Sequence, residues 1–195
     1  YYVDTNILAH AAKLFGKQDD YEKYTALAEN IKEAINKKYL NRDTGIYAGG
    51  SQTELSVPLM WGVVPEDMKA KVAANLANKV QKDGCHVDVG VLGCKALLNA
   101  LSENGYADLA FQVAAQKDYP SWGWWISNGA TALIEDWDYQ RAGEFSDNHM
   151  MFGEIGAWFY KALGGIKPDP EHPGFRHILL APHFVKRLNY ANISY

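Results

Sequence analysis

DYEKYTALAENIKEAINKKY, residues 20–39, places Tyr24, Leu27, Ala28, Ile31, Ala34 and Ile35 on one face of a helix and its charges on the other. Apolar residues recurring three and four apart fit a 3.6-residue turn that buries one side. The pattern repeats outward in both directions. On the N-terminal side, YYVDTNILAHAAKLFG spaces Ile7, Leu8, Ala11, Ala12 and Phe15 as a helix already running, with no initiator Met, which predicts a piece of a longer chain. On the C-terminal side, the polar, Gly-containing NRDTGIYAGG reads as a connection. Helices are then expected over 52–61, 65–82, 88–101 and 106–117, with Pro65 at a first-turn position. The joins GVVP, DGCH and ENGY are short, and short joins make consecutive helices antiparallel neighbours, so the chain reads as a succession of helical hairpins.

One further helix is expected over HMMFGEIGAWFYKAL, residues 149–163, although Gly153 and Gly156 weaken it unless close packing requires them. The run GGIKPDPEHPG stops it with Gly and Pro. Beyond, FRHILLAP and KRLNYANIS alternate apolar and polar residues and read as strands. Three regions follow: a helical domain over 1–166, a linker over 167–174 and the start of a β domain over 175–195. No internal repeat of fixed period is present, which argues against a regular solenoid.

Composition narrows the function classes. At 195 residues the chain can bury a real core, and its 48% apolar and 22% charged residues are those of an ordinary globular domain. A net charge of −4 argues against a nucleic-acid partner. No apolar run reaches the length of a membrane span. Cys85 and Cys94 read as free, buried thiols, because helical spacing between them makes a bridge awkward. Phosphate loops, dinucleotide fingerprints and G-x-S-x-G elbows are absent, so no cofactor is expected. His172, His177 and His183 lack the spacing of a helical H-E-x-x-H site and sit in a Pro-rich and strand-like setting, so they read as surface and no metal is assigned.

The chemistry-bearing residues concentrate in YPSWGWWISNGATALIEDWDYQRAGEFSDNHMMFGE, residues 119–154. Trp faces beside carboxylates and hydrogen-bonding side chains such as Asn148 suit a carbohydrate, which offers C–H faces to rings and hydroxyls to polar groups. Trp122 and Trp125 are equally readable as core, while Trp124 and Trp137 are better placed as lining. Glu135 ends the small, apolar GATALI, where partial desolvation would make it a better proton acceptor; a solvated acidic helix end is the plainer alternative. Asp136 and Asp138 are expected to support it. His149 stands at a loop-to-helix junction, where Ser146, Asp147 or Asn148 could cap the helix.

Several separated motifs, in order, resemble the bacterial α-L-rhamnosidases of glycoside hydrolase family 78. These are Gln52-Thr53, NGYADLA from Asn104, YPSWG from Tyr119, NGAT from Asn128 followed by Glu135 and Trp137, and Asn148-His149 followed by FGEIGAW. The resemblance implies a mainly α fold, an incomplete (α/α)6 barrel of hairpins followed by terminal β-strands of a separate β-sandwich. It implies hydrolysis of terminal α-L-rhamnosyl residues with inversion, with a rhamnoside as partner. Glu135 matches the family's proposed general base and His149 a sugar-hydroxyl partner; Trp137, Trp124, Asn148 and His86 are the further substrate-binding candidates. The family's general acid lies in an Arg-Asp-Glu segment that has no counterpart here, since Arg42-Asp43-Thr44 lacks the Glu, so the acid and the rest of the barrel are expected outside these residues. This makes the isolated chain inactive or nearly so. Val87-Asp88 and Cys94-Lys95 also replace residues that are Thr in many relatives. Other α/α-barrel glycosidases or lyases, and a non-catalytic sugar-binding helical module, remain as alternatives. Glycoside breakdown by relatives points to a periplasmic or secreted setting, with a cytoplasmic one as the alternative.

Overall fold

The computed structural model describes every residue except Ala142, Phe145, Glu171, Pro173 and Tyr195. Eight α-helices are present among the described residues: α1 (Tyr2–Leu14), α2 (Gln18–Tyr39), α3 (Gln52–Met60), α4 (Glu66–Lys82), α5 (Val91–Glu103), α6 (Ala107–Ala114), α7 (Trp122–Ser127) and α8 (Glu154–Trp158). Two antiparallel ribbons accompany them. The strands β1 (Leu40–Asn41) and β2 (Ile46–Tyr47) pair within the expected connection, and β3 (Ile166–Pro168) pairs with β4 (Ile178–Leu180). None of the described helices is long and apolar enough to cross a membrane.

Packing distinguishes two kinds of helix. α4 buries Met68, Val72, Leu76, Ala77 and Val80, a single stripe, and leaves Lys69, Lys71 and Lys82 to solvent. α5 buries Gly93, Cys94, Ala96, Leu97, Leu98, Ala100 and Leu101 around most of its circumference. A helix apolar on nearly all sides belongs inside. Accordingly α5 packs principally against α3, the helix two earlier, as well as α6 and α8, while α4 covers α3. This is the arrangement of a toroid, in which alternate helices form the inner wall. Close approach of α3 and α5 depends on Gly93, where a Cβ would fall 2.3 Å from Thr53 Oγ1 and 2.7 Å from Val89 Cγ1.

The segments entering α3, α5 and α7 are tied together at one end of this wall. Gln52, wholly buried at the start of α3, donates to Asp83 Oδ2 and the His86 carbonyl and accepts from the Asp88 N–H. Gln116 reaches the carbonyls of Gly84 and Cys85, and His86 meets Asp118 at 3.0 Å. Ser51 caps α3 in a reciprocal box with Glu54.

Three expectations change. Residues 149–163 do not form one helix: they divide into a 3-10 turn over Met150–Gly153, the five residues of α8 and a π turn over Phe159–Leu163. Gly153 approaches Leu133 Cδ1, whereas nothing crowds Gly156, so only one of the two glycines is required by packing. The WGWWIS run, not expected as a helix, forms α7, capped by Ser121 Oγ on the Trp124 N–H. Of the two terminal strand segments, β4 carries only the centre of the first, and residues 186–194 contain no strand. The β3–β4 ribbon is joined to the helical body by Lys167 and His183, both against Glu103 at the end of α5. Cys85 and Cys94 are free thiols, Cys94 buried, where desolvation pushes its pKa up to about 12.

Candidate functional site

The loop between α7 and α8 is positioned by an aromatic cluster. Trp125, 2% exposed, donates from Nε1 to the carbonyls of Asp136 and Trp137, at 3.1 Å each. Trp137 stacks on Trp125 with ring centroids 4.7 Å apart and meets Trp122 and Phe152 edge-on at 5.1 and 5.0 Å. Its own Nε1 donates to the Val89 carbonyl at 2.7 Å, just before α5. Trp122 donates to the Phe152 carbonyl at 3.0 Å. Indoles with satisfied N–H groups fix the backbone that follows Glu135.

Within that frame two strands of loop lie side by side. The Glu135 N–H donates to the Ser146 carbonyl at 3.0 Å, and the Ser146 N–H returns to Glu135 Oε2 at 3.1 Å. Two residues before Glu135, the Leu133 carbonyl accepts from the His149 N–H at 2.7 Å. The result is that His149 Nε2 faces Glu135 Oε1 at 4.0 Å, with side chains 22% and 41% exposed. One carboxylate oxygen is thus anchored on backbone, while the other faces the imidazole, on a side chain that is itself exposed. His149 Nδ1 is buried without a hydrogen-bond partner among the described residues, and its ring rests 5.7 Å from Phe152.

The neighbouring acids stitch the loop. Asp136 pairs with Arg141 at 2.9 Å and accepts the Asp138 N–H, and Asp138 accepts the Gln140 N–H. The GATALI approach is less enclosed than expected. Ile134 is buried, Leu133 half-buried, and Thr131 and Ala132 are exposed, because no regular element carries them. Glu135 therefore lies in a loop, not at a helix end, and is less desolvated than the apolar run suggested. Ala130–Leu133 instead line one side of an apolar groove of about 520 Å³ together with Trp125, Ile126, Ile155 and Phe159. His149 itself precedes the 3-10 turn, and no side chain caps that turn; Ser146 Oγ accepts from the Asn148 N–H and Asp147 from the Gly143 N–H.

The other candidates are spread around this centre. Asn148 is exposed beside His149. Trp124 is half-buried against Tyr119, with Nε1 buried and unpartnered among the described residues. His86 lies with Asp118 at the mouth formed by the α5 and α7 entries, and that hydrogen bond holds the Asp118 carboxyl below its usual range. No hydrogen bond or ring contact joins Trp124 or His86 to Glu135 or His149 among the described residues. Neither Asp118 as the partner of His86 nor Ser146 as the partner of Glu135 was expected, since only the fold brings them to those side chains.

The family model described as bacterial alpha-L-rhamnosidase 6 hairpin glycosidase domain matches residues 1–163. The chain belongs to this family. An alpha-L-rhamnosidase of Streptomyces avermitilis is 30% identical over 192 residues, covering 92% of this chain and 18% of its own length. One from Alteromonas sp. is 28% identical over 187 residues, covering 92% of this chain and 20% of its own. Among solved structures, the alpha-L-rhamnosidase from Dictyoglumus thermophilum superposes with a TM-score of 0.88 at 37% identity, over 95% of this chain and 21% of that one. The Streptomyces avermitilis alpha-L-rhamnosidase complexed with L-rhamnose gives 0.85 at 29%, over 94% and 18%. This member of the rhamnosidase family thus spans about a fifth of the length of the relatives it matches. Its hairpins are those of a six-hairpin glycosidase barrel.

Proposed function

We propose that this chain contributes the water-activating half of an inverting α-L-rhamnosidase site, with Glu135 as general base. The observation that carries the reading is the asymmetry of the Glu135 carboxylate on its exposed side chain: Oε2 is held by the Ser146 N–H, and Oε1 faces His149. An anchored carboxylate keeps its orientation, and the free oxygen can accept a proton from water as that water attacks the anomeric carbon. His149 would position a sugar hydroxyl through the imidazole, with Asn148 at the rim and Trp124 and Trp137 as aromatic walls. His86, held by Asp118, would complete the polar lining at the entries to α5 and α7.

Inversion requires a second carboxyl, protonated, about 6.5–9.5 Å from the base, so that water fits between base and sugar. The reading assigns that acid to no residue of this chain. Arg42 is paired with Asp67, and Asp43 lies in the tight connection between β1 and β2, so the nearest Arg-Asp pair serves local structure. We assign the helical body to residues 1–166 and the start of a β domain to 175–195, joined by 167–174, of which Glu171 and Pro173 lie outside the described residues. No cofactor takes part in the proposed step.

The test is the configuration of the first sugar released from an aryl α-L-rhamnoside by the intact protein, followed by proton NMR before the anomers equilibrate. β-L-Rhamnose first supports inversion; α-L-rhamnose first contradicts it. Cleavage of other aryl glycosides with no action on the rhamnoside would replace the substrate assignment.

A further inference from the structure

The β3–β4 ribbon closes through a turn that brings three metal-ligating side chains to one point, away from Glu135 in sequence and unused by the proposed reaction. His172 Nδ1 lies 2.9 Å and His177 Nδ1 3.4 Å from the same oxygen, Asp169 Oδ2. The three donor atoms lie within 4.8 Å of one another, and the imidazole centroids are 4.2 Å apart. The backbone sets this arrangement independently of the side chains. The His172 N–H donates to the Asp169 carbonyl at 3.1 Å, and the Asp169 N–H crosses the ribbon to the His177 carbonyl at 3.3 Å. Between them Gly174 and Phe175 adopt φ of +79° and +57°, a left-handed pair that returns the chain so that His177 lands beside Asp169. Such a conformation is uncommon for a bulky residue and persists only where its surroundings impose it.

We infer that Asp169, His172 and His177 form a binding site for a divalent first-row transition metal, with Zn2+ as its natural probe. Two imidazoles and one carboxylate are ligands that suit Zn2+, Ni2+ or Cu2+, whereas Mg2+ and Ca2+ favour oxygen alone. Distances agree with the chemistry: ligand bonds of about 2.0–2.1 Å at tetrahedral angles separate donors by about 3.3 Å. The two Asp169 contacts already bracket that value, so an ion needs only small rotations of two imidazoles that are 53% and 65% exposed. Asp169, 18% exposed, forms the fixed floor of the site, and water completes the coordination. On binding, each Nδ1 turns a lone pair to the metal and any proton there moves to Nε2 or to solvent. The metal would then staple the turn of the ribbon and with it the join between the helical body and the residues that follow.

The test is calorimetric titration of the untagged protein with ZnCl2, alongside the visible spectrum of the Co2+ complex. One saturable ion per chain is expected. Its affinity should fall about tenfold or more in each of His172→Gln, His177→Gln and Asp169→Asn, while His183→Gln and Cys85→Ser leave it unchanged and excess Mg2+ or Ca2+ does not compete. Unchanged far-ultraviolet circular dichroism identifies each variant as folded. Absence of saturable Zn2+ binding and of a Co2+ spectrum by the wild-type protein overturns the inference. So does equal binding by the doubly substituted His172→Gln/His177→Gln protein, or loss of binding in Cys85→Ser.

Discussion

At the scale of single residues, the anchored carboxylate at Glu135 depends on partners that are only main chain. The Ser146 N–H and the Leu133 carbonyl hold Glu135 and His149 in register, so side-chain changes at Ser146 should matter little and changes at His149 should matter much. His149→Ala is expected to raise KM for an aryl rhamnoside more than it lowers kcat, because a hydroxyl partner acts on bound sugar; steady-state kinetics on the intact protein check this. Cys94, 1% exposed and with its pKa raised to about 12, should not react with a thiol reagent at pH 8 in the native protein, whereas Cys85 should. Counting thiols released before and after denaturation decides it. The identities of Glu135 and His149 as candidates were legible through resemblance, yet their approach to 4.0 Å was not. They lie 14 positions apart in irregular loop, where no periodicity relates one side chain to another. Trp137 illustrates the same gap: its indole N–H reaches Val89, 48 residues away, a contact set by the stacking of α7 against the entry to α5.

At the scale of elements, most helices were legible because their burial repeats with the helical period. α4 is the clearest case, with one buried stripe; on α2 only Ala28 is buried, with Tyr24, Leu27, Ile31 and Ile35 half-buried along the same face. α7 and residues 149–163 were not. α7 is six residues long and rests on the Ser121 cap and on a close approach, since a Cβ at Gly123 would fall 2.2 Å from the Gln116 carbonyl oxygen. Gly123→Ala should therefore disrupt the loop entry, by more than the loss of glycine's flexibility would gain, with lowered Tm as the readout. At α3 the reciprocal cap makes a sharper expectation: Ser51→Ala should cost about 1 kcal/mol in denaturant unfolding. Gln52→Leu should cost more, about 1–3 kcal/mol, because the Asp88 N–H and the His86 carbonyl would lose a buried partner. That substitution should also loosen His86, which shares the same connection.

At the scale of the whole molecule, the helical body and the β3–β4 ribbon meet through Glu103. Burial works to raise its pKa, but the Lys167 ammonium and His183 outweigh this and hold the carboxyl below its ordinary value. A folded pKa below the unfolded one means that the stabilisation is complete above the unfolded value, about 4.3, and is lost as pH falls through the folded value. Glu103→Gln should accordingly flatten the acid limb of the stability profile, measured as Tm against pH. The succession of helical hairpins was legible from short joins between amphipathic segments, and the six-hairpin barrel only through the family resemblance, whereas the strand expected over KRLNYANIS is not formed: its alternation has no pairing partner among the described residues to turn it into a ladder. The proposed reaction depends on Glu135 acting on water. Its most direct test is kcat on an aryl α-L-rhamnoside for Glu135→Gln in the intact protein, with circular dichroism unchanged. A fall of about 10²–10⁴-fold is predicted; turnover near that of the wild type would contradict it.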